Sequence, residues 1–132
     1  SPGSENETQA LMRVFSQIPA EGYLDLHSRG KVIYYYRHFM DDAYNRRQKY
    51  IADRLIEVTG YELMPPEDEI EMYDTGGNTV HYFSEQFGKP ALTIETVPEE
   101  ATFPLNRHYV PQAFREIYFV PFEFVDAIAA YD

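Results

Sequence analysis

Apolar residues recur along this chain at two spacings, and the spacing changes with each segment. Leu11, Val14, Phe15 and Ile18 follow at i, i+3, i+4 and i+7, which predicts one face of a helix. Ser4-Glu5-Asn6-Glu7 before it has the form of a capping box, and Pro19 closes it. Residues 22–28 alternate instead: Leu24 and Leu26 fall on one face of a strand, Asp25 and His27 on the other. Val32-Ile33-Tyr34-Tyr35-Tyr36 is β-branched and aromatic and predicts a second strand. Asp41 or Asp42 then caps a long helix to about Thr59, with Ile51, Leu55 and Val58 on its apolar face and Gly60 as its C-terminal cap. Residues 61–71, with Pro65-Pro66, read as a Pro- and acid-rich loop, and Gly76-Gly77 as a flexible turn. Asn78 caps a third helix carrying Val80, Phe83 and Phe87, closed by Gly88. Residues 91–97 form a short apolar strand, broken by Pro98-Glu99-Glu100. A last helix runs from about Tyr109 to Tyr131, with Pro111 in its first turn and a kink or break at Pro121.

Helices alternating with strands predict an α/β fold: a mixed, mostly parallel sheet of three or four strands flanked by helices. In such sheets the site lies at the carboxyl ends of the strands, where His27 and the end of the 91–97 strand both fall. At 132 residues and 44% apolar, the chain holds one domain at most and has ample material for a core. Its net charge of −11 argues against nucleic acid, because phosphate binding needs clustered Lys and Arg. The acids are scattered over helix faces and loops and read as a solubilising surface. The absence of Cys excludes disulfides, thiolate metal sites and Cys nucleophiles. No apolar run reaches membrane-helix length, so no membrane partner is expected. The compartment stays open. No signal peptide is visible, and Ser1-Pro2-Gly3-Ser4 reads as the middle of a longer protein or as an artificial boundary.

Three segments carry candidate chemistry. In Tyr23-Leu24-Asp25-Leu26-His27-Ser28-Arg29-Gly30, His27 ends an apolar strand, a rigid place for a metal ligand. Asp25, two residues back on the same face, could orient its ring. A surface or structural histidine is the plainer alternative. Glu95, in Thr93-Ile94-Glu95-Thr96, is an acid inside an apolar strand. If buried, its pKa rises, which suits a general base; if on an edge strand, it simply faces solvent. Tyr73 precedes Asp74-Thr75-Gly76-Gly77, where a loop could carry its hydroxyl onto a ligand, but in a chain with 12 Tyr this signal is weak. His38 and Asp41 read as a helix start with Asp41 as cap, His81 as packing, and His108 as a loop residue. Phosphate loops and Gly-x-Ser-x-Gly are absent.

In this order, His27-Ser28, Tyr73 with Gly76-Gly77, and Ala91-Leu92-Thr93-Ile94-Glu95 resemble the C-terminal half of a zinc metallocarboxypeptidase domain. The likeness covers nearly the whole chain. Three longer stretches, Leu24 to Lys31, Gly76 to Phe83 and Thr93 to Glu100, are most similar to the bacterial γ-D-glutamyl-diamino-acid (meso-diaminopimelate) endopeptidases, which cut peptidoglycan stem peptides. The resemblance implies that His27 binds Zn2+, that Glu95 activates the attacking water, that Tyr73 contacts the peptide substrate, and that Thr79 lines the pocket for the side chain beside the scissile bond. Arg29 is a further candidate for substrate binding, since guanidinium pairs bidentately with carboxylates.

The family's His-x-x-Glu, which supplies two more zinc ligands, should lie upstream of His27, and no His precedes His27 here. The chain is therefore expected to be a partial domain with an incomplete zinc site, whose peptidase activity needs the missing part. The alternative is a module without zinc that binds a peptide or partner protein. Self-association through an exposed sheet edge is a third expectation.

Overall fold

The computed structural model describes residues 4–72 and 78–132. In chain order its elements are α1 (Asn6–Gln17), β1 (Tyr23–Ser28), β2 (Val32–Tyr34), α2 (Asp42–Thr59), β3 (Glu62–Leu63), α3 (Pro66–Met72), α4 (Thr79–Phe87), β4 (Ala91–Thr96), α5 (Tyr109–Ile117) and α6 (Val120–Tyr131). The four strands form one mixed sheet in the order β1-β4-β2-β3. β1 and β4 are parallel, β4 and β2 antiparallel, and β2 and β3 parallel. This is the α/β architecture that the alternation of patterns predicts.

Strand alternation divides the helices between the two faces. Leu92 and Ile94 of β4 and Ile33 of β2 are fully buried against Ile51, Ala52 and Leu55 of α2 and Val120, Phe124 and Ala127 of α6. On the other face Ala91 packs with Val80 and Phe83 of α4, and Phe15 of α1 and Tyr23 of β1 close over them. The α1 side is an aromatic cluster: the Phe15 ring lies 5.2 Å edge-on from Tyr23 and 5.3 Å from Phe83. Gly22 admits the close approach of α6 on the first face, because a Cβ there would stand 2.8 Å from the Phe124 ring.

Local capping explains the best-defined boundaries. The Asp41 side chain accepts from the Tyr44 N–H at 2.8 Å, and Gly60 ends α2 at φ 72°. Asn78 accepts from the Val80 and His81 N–H groups, and Gly88 ends α4 at φ 62°. The predicted break near Pro121 falls at Tyr118-Phe119, because Pro121 enters α6 in its first turn, where a missing N–H is harmless.

Four expectations change. The capping box does not form: α1 starts from Glu5 with no side-chain cap, and its first amides face solvent. The second strand stops at Tyr34, because the next backbone groups pair with α2 side chains rather than with the ladder. The loop at 61–71 contains β3 and α3. Glu62 and Met64 donate to the Lys31 and Ile33 carbonyls, and Pro66 opens α3 ahead of three acids that suit a helix N-terminus. Val58 is 37% exposed, while the polar Asn45 and Gln48 take buried places on α2.

Those two side chains tie the sheet to α2. Gln48 donates to the Tyr35 and Ala91 carbonyls at 2.9 and 2.6 Å, and its carbonyl accepts from the Ala91 N–H at 3.0 Å. Asn45 accepts from the Arg37 N–H at 2.8 Å and donates back to the Arg37 carbonyl at 3.0 Å. Arg37, only 2% exposed, adds a bond to the Ala91 carbonyl. Beside it lies Glu69, 1% exposed. Burial raises its carboxyl from 4.5 to about 8, against the opposing pull of Arg37 and the backbone N–H groups of Tyr36 and Tyr35.

Gln48→Leu keeps the bulk of the side chain but strands buried backbone groups of Tyr35 and Ala91. At about 1–3 kcal/mol for each stranded group, urea denaturation should show a loss of roughly 2–4 kcal/mol, whereas Val58→Ala should cost less than about 1 kcal/mol. Equal effects would contradict the role given to Gln48. Glu69 also sets a pH dependence. Folding binds a proton between the ordinary carboxyl value and about 8, so stability falls as pH rises through that window. His81, pushed down to about 4 by burial and by the charges of Arg37 and His38, acts in the opposite sense, but only below its ordinary 6.5. Between pH 6.5 and 8 the chain should therefore lose stability, by at most about 1.4 kcal/mol per pH unit. Glu69→Gln should flatten that slope; an unchanged slope would place its origin elsewhere.

Candidate functional site

The parallel register of β1 and β4 sets Tyr23 against Ala91, Asp25 against Thr93, and His27 against Glu95. All six share one sheet face, because side chains alternate along each strand. α4 and α1 cover the Tyr23 end of that face, and the polar residues follow toward the carboxyl ends of the strands. His27 and Glu95 thus become neighbours across two strands that are 68 positions apart in sequence.

His27 Nε2 lies 2.8 Å from Asp25 Oδ2. A carboxylate only accepts, so Nε2 carries the hydrogen and the Nδ1 lone pair is left for another partner. The His27 side chain is 53% exposed and that of Asp25 21%, so the ring is held in place yet open to an incoming group. Glu95 is half-buried. Burial raises its carboxyl above the ordinary range; the nearby His27 pulls it down and Glu99 pushes it up. The short β1–β2 connection crosses the end of β4, where the Gly30 N–H donates to the Val97 carbonyl at 2.7 Å. Gly30 has φ +138°, and a Cβ there would stand 3.2 Å from Glu99 Oε2 and 3.3 Å from Glu95 Oε2. Glycine is needed at this crossing both for its backbone angle and for the space it leaves two carboxylates.

The other sequence candidates divide. Thr79 opens α4, and its side chain lies near the Tyr23 hydroxyl, on the face that carries Asp25 and His27. The Tyr23 hydroxyl is pushed up by burial; nearby Thr79 partly offsets that while Asp25 adds to it. Arg29 is engaged within the chain. Its NH1 donates to the carbonyls of Glu99, at 2.6 Å, and Ala101, and its guanidinium lies 5.4 Å from the Phe103 ring centre. It fastens the segment after β4 and so helps to hold Glu99 near Glu95. Tyr73 lies outside the described residues. Sequence reasoning missed Glu99 as a neighbour of the site; Pro98 marked only a break, and the contact depends on how the chain turns back at Val97, whose φ is 69°.

A groove of about 620 Å³ opens at the same end of the sheet but on the opposite face, bounded by Leu26, Thr96, Phe114 and Ile117. It is apolar and touches the polar site only at His27.

A catalytic zinc needs three protein ligands and an open position. Among the described residues, no three His, Cys, Asp or Glu side chains come together to hold a metal. His27, oriented by Asp25, has the chemistry of one ligand, and the described residues do not complete the set.

A search of curated proteins gives no match. The family profile described as zinc carboxypeptidase matches residues 1–119, which covers the sheet, the candidate site and α5. That match implies zinc use and peptidase-type hydrolysis, and the mixed sheet with flanking helices is consistent with a carboxypeptidase-like fold. The chain belongs to the zinc carboxypeptidase family.

Proposed function

We propose that this chain carries one metal ligand and the general base of a zinc peptidase that hydrolyses peptidoglycan stem peptides at the γ-D-glutamyl-diamino-acid bond. The observation that carries the catalytic part is the pairing of His27 with Glu95 at the carboxyl ends of two parallel strands, with Asp25 holding the His27 ring. The substrate class rests on the three longer stretches that resemble that group of enzymes. Zinc, when bound, polarises the scissile carbonyl. The described residues do not complete its site, so the remaining ligands come from outside them.

The roles of the chain's own residues follow from their chemistry. Asp25 fixes the His27 tautomer so that Nδ1 is the coordinating nitrogen. Glu95, its carboxyl raised by burial, takes a proton from the attacking water and delivers it to the departing amine. Thr79 and Tyr73 contact the substrate. A second reading, a peptide- or partner-binding module without zinc, is favoured by one observation: the lack of a three-ligand group among the described residues.

Calorimetric zinc titration separates the two readings. In the complete enzyme His27→Ala should remove most zinc affinity, and Asp25→Asn should weaken it by about 10–100-fold. Zinc binding indifferent to both changes would exclude His27 as a ligand. In the same enzyme Glu95→Gln should lower turnover by about 10²–10⁴-fold with zinc still bound. Normal turnover in that variant would remove Glu95 from the mechanism and leave the binding-module reading stronger.

A further inference from the structure

Among the described residues, two besides glycine have a positive φ, and they meet at one place: Lys31 at 51° in the β1–β2 turn and Val97 at 69° just after β4. The hydrogen bond from the Gly30 N–H to the Val97 carbonyl joins them. Left-handed backbone is unfavourable for any residue with a Cβ, and most of all for a β-branched one, so it persists only where its surroundings hold it. Lys31 is held at both ends. Its carbonyl accepts from the Glu62 N–H at 3.0 Å, and its ammonium donates to Glu116 Oε2 on α5 at 2.9 Å. The other Glu116 oxygen accepts from the buried Tyr61 hydroxyl at 3.0 Å, and Gln112, one turn earlier on α5, approaches at 3.5 Å. Lys31 and Glu116 are both half-buried, so water and salt screen the pair less than a surface pair. One carboxylate thus joins α5, the β1–β2 turn and the chain leaving α2. The pairing of β1, β4 and β2 uses none of these side-chain bonds.

We infer that Lys31 and Glu116 are positioning residues for Glu95: their ion pair latches the β1–β2 turn, and the latched turn forms the wall against which the Glu95 carboxylate rests. Gly30 is the link. It adjoins Lys31, and a Cβ on it would stand 3.3 Å from Glu95 Oε2, so the turn backbone lies close to that carboxylate. Among the described residues neither Lys31 nor Glu116 hydrogen-bonds Glu95, so both act through the turn. The inference rests on the peptidase reading in taking Glu95 as the general base. A base shifted out of line loses rate without losing affinity for the substrate, because alignment matters in the transition state. The latch also gives α5 a part in the site, although that helix contributes no residue to the polar face.

Two measurements test the latch. The first needs neither zinc nor turnover, so it fails or succeeds separately from the peptidase assignment. In the isotope-labelled 132-residue chain, Lys31→Met and Glu116→Gln should each speed hydrogen exchange at the Gly30 amide by about tenfold or more, while the Leu92 and Ile94 amides of the core keep their protection. In the complete enzyme the same variants should lower kcat by about tenfold or more with KM within about twofold. The double variant should lose no more than the worse single one, because the two residues act as a unit. Lys31→Gly suits the left-handed backbone but lacks the side chain. It should show the same losses, and serves as the readout if Lys31→Met does not fold. Lys49→Met, which removes the exposed Lys49–Asp53 pair on α2, should leave both readouts unchanged. Unchanged exchange at Gly30, exchange that rises equally at Gly30, Leu92 and Ile94, normal kcat in the Lys31 variants, or additive losses in the double variant would overturn the proposal.

Discussion

The amide of Gln48 is the interaction on which the remaining geometry depends. It projects from the middle of α2 and pairs with both backbone groups of Ala91, as a neighbouring strand would. The same amide holds the Tyr35 carbonyl just after β2 leaves the ladder. One helix residue thereby fixes where β4 begins. Once Ala91 is placed, the strand's rise per residue sets Glu95 opposite His27. Asn45 and Arg37 extend the tie to the segment after β2. These bonds are buried, so each is costly to break, and water cannot replace them.

The site at the far end of β4 is built by crowding rather than by enclosure. A short connection from β1 to β2 has to cross the strand lying between them, and Gly30 lets the backbone pass close to two carboxylates. Glu95 is left beside a like charge and partly desolvated, and both effects favour holding a proton. His27 works against them and draws Asp25 to its other side. The proposed function draws on this combination: a carboxyl basic enough to accept a proton, next to a ring whose free nitrogen is decided in advance.

Polar burial is unusually heavy for so small a sheet. Arg37, Gln48 and Glu69 are all among the fully buried side chains. Gln48 is satisfied by backbone, whereas Glu69 is not. That difference fits the raised carboxyl of Glu69. It also makes α3 more than the connection that its prolines and acids suggest, because this short helix carries Glu69 inward.

Local chemistry alone determined much of this protein. Asp41 and Gly60 bound α2, Asn78 and Gly88 bound α4, and alternation put Asp25 with His27 on one face of β1, because caps and strand period act over a few residues. The ordered motifs around His27 and Glu95 likewise pointed to the family that the profile match shows. Tertiary structure decided the rest. It shortened β2 after Tyr34, made a strand and a helix of 61–72, and buried Asn45 and Gln48 on a helix face expected to be apolar. It also brought Glu99 beside Glu95 and turned Arg29 onto the Glu99 and Ala101 carbonyls. Each of these outcomes depends on backbone groups and charges far apart in the chain, and no window of neighbouring residues contains both partners.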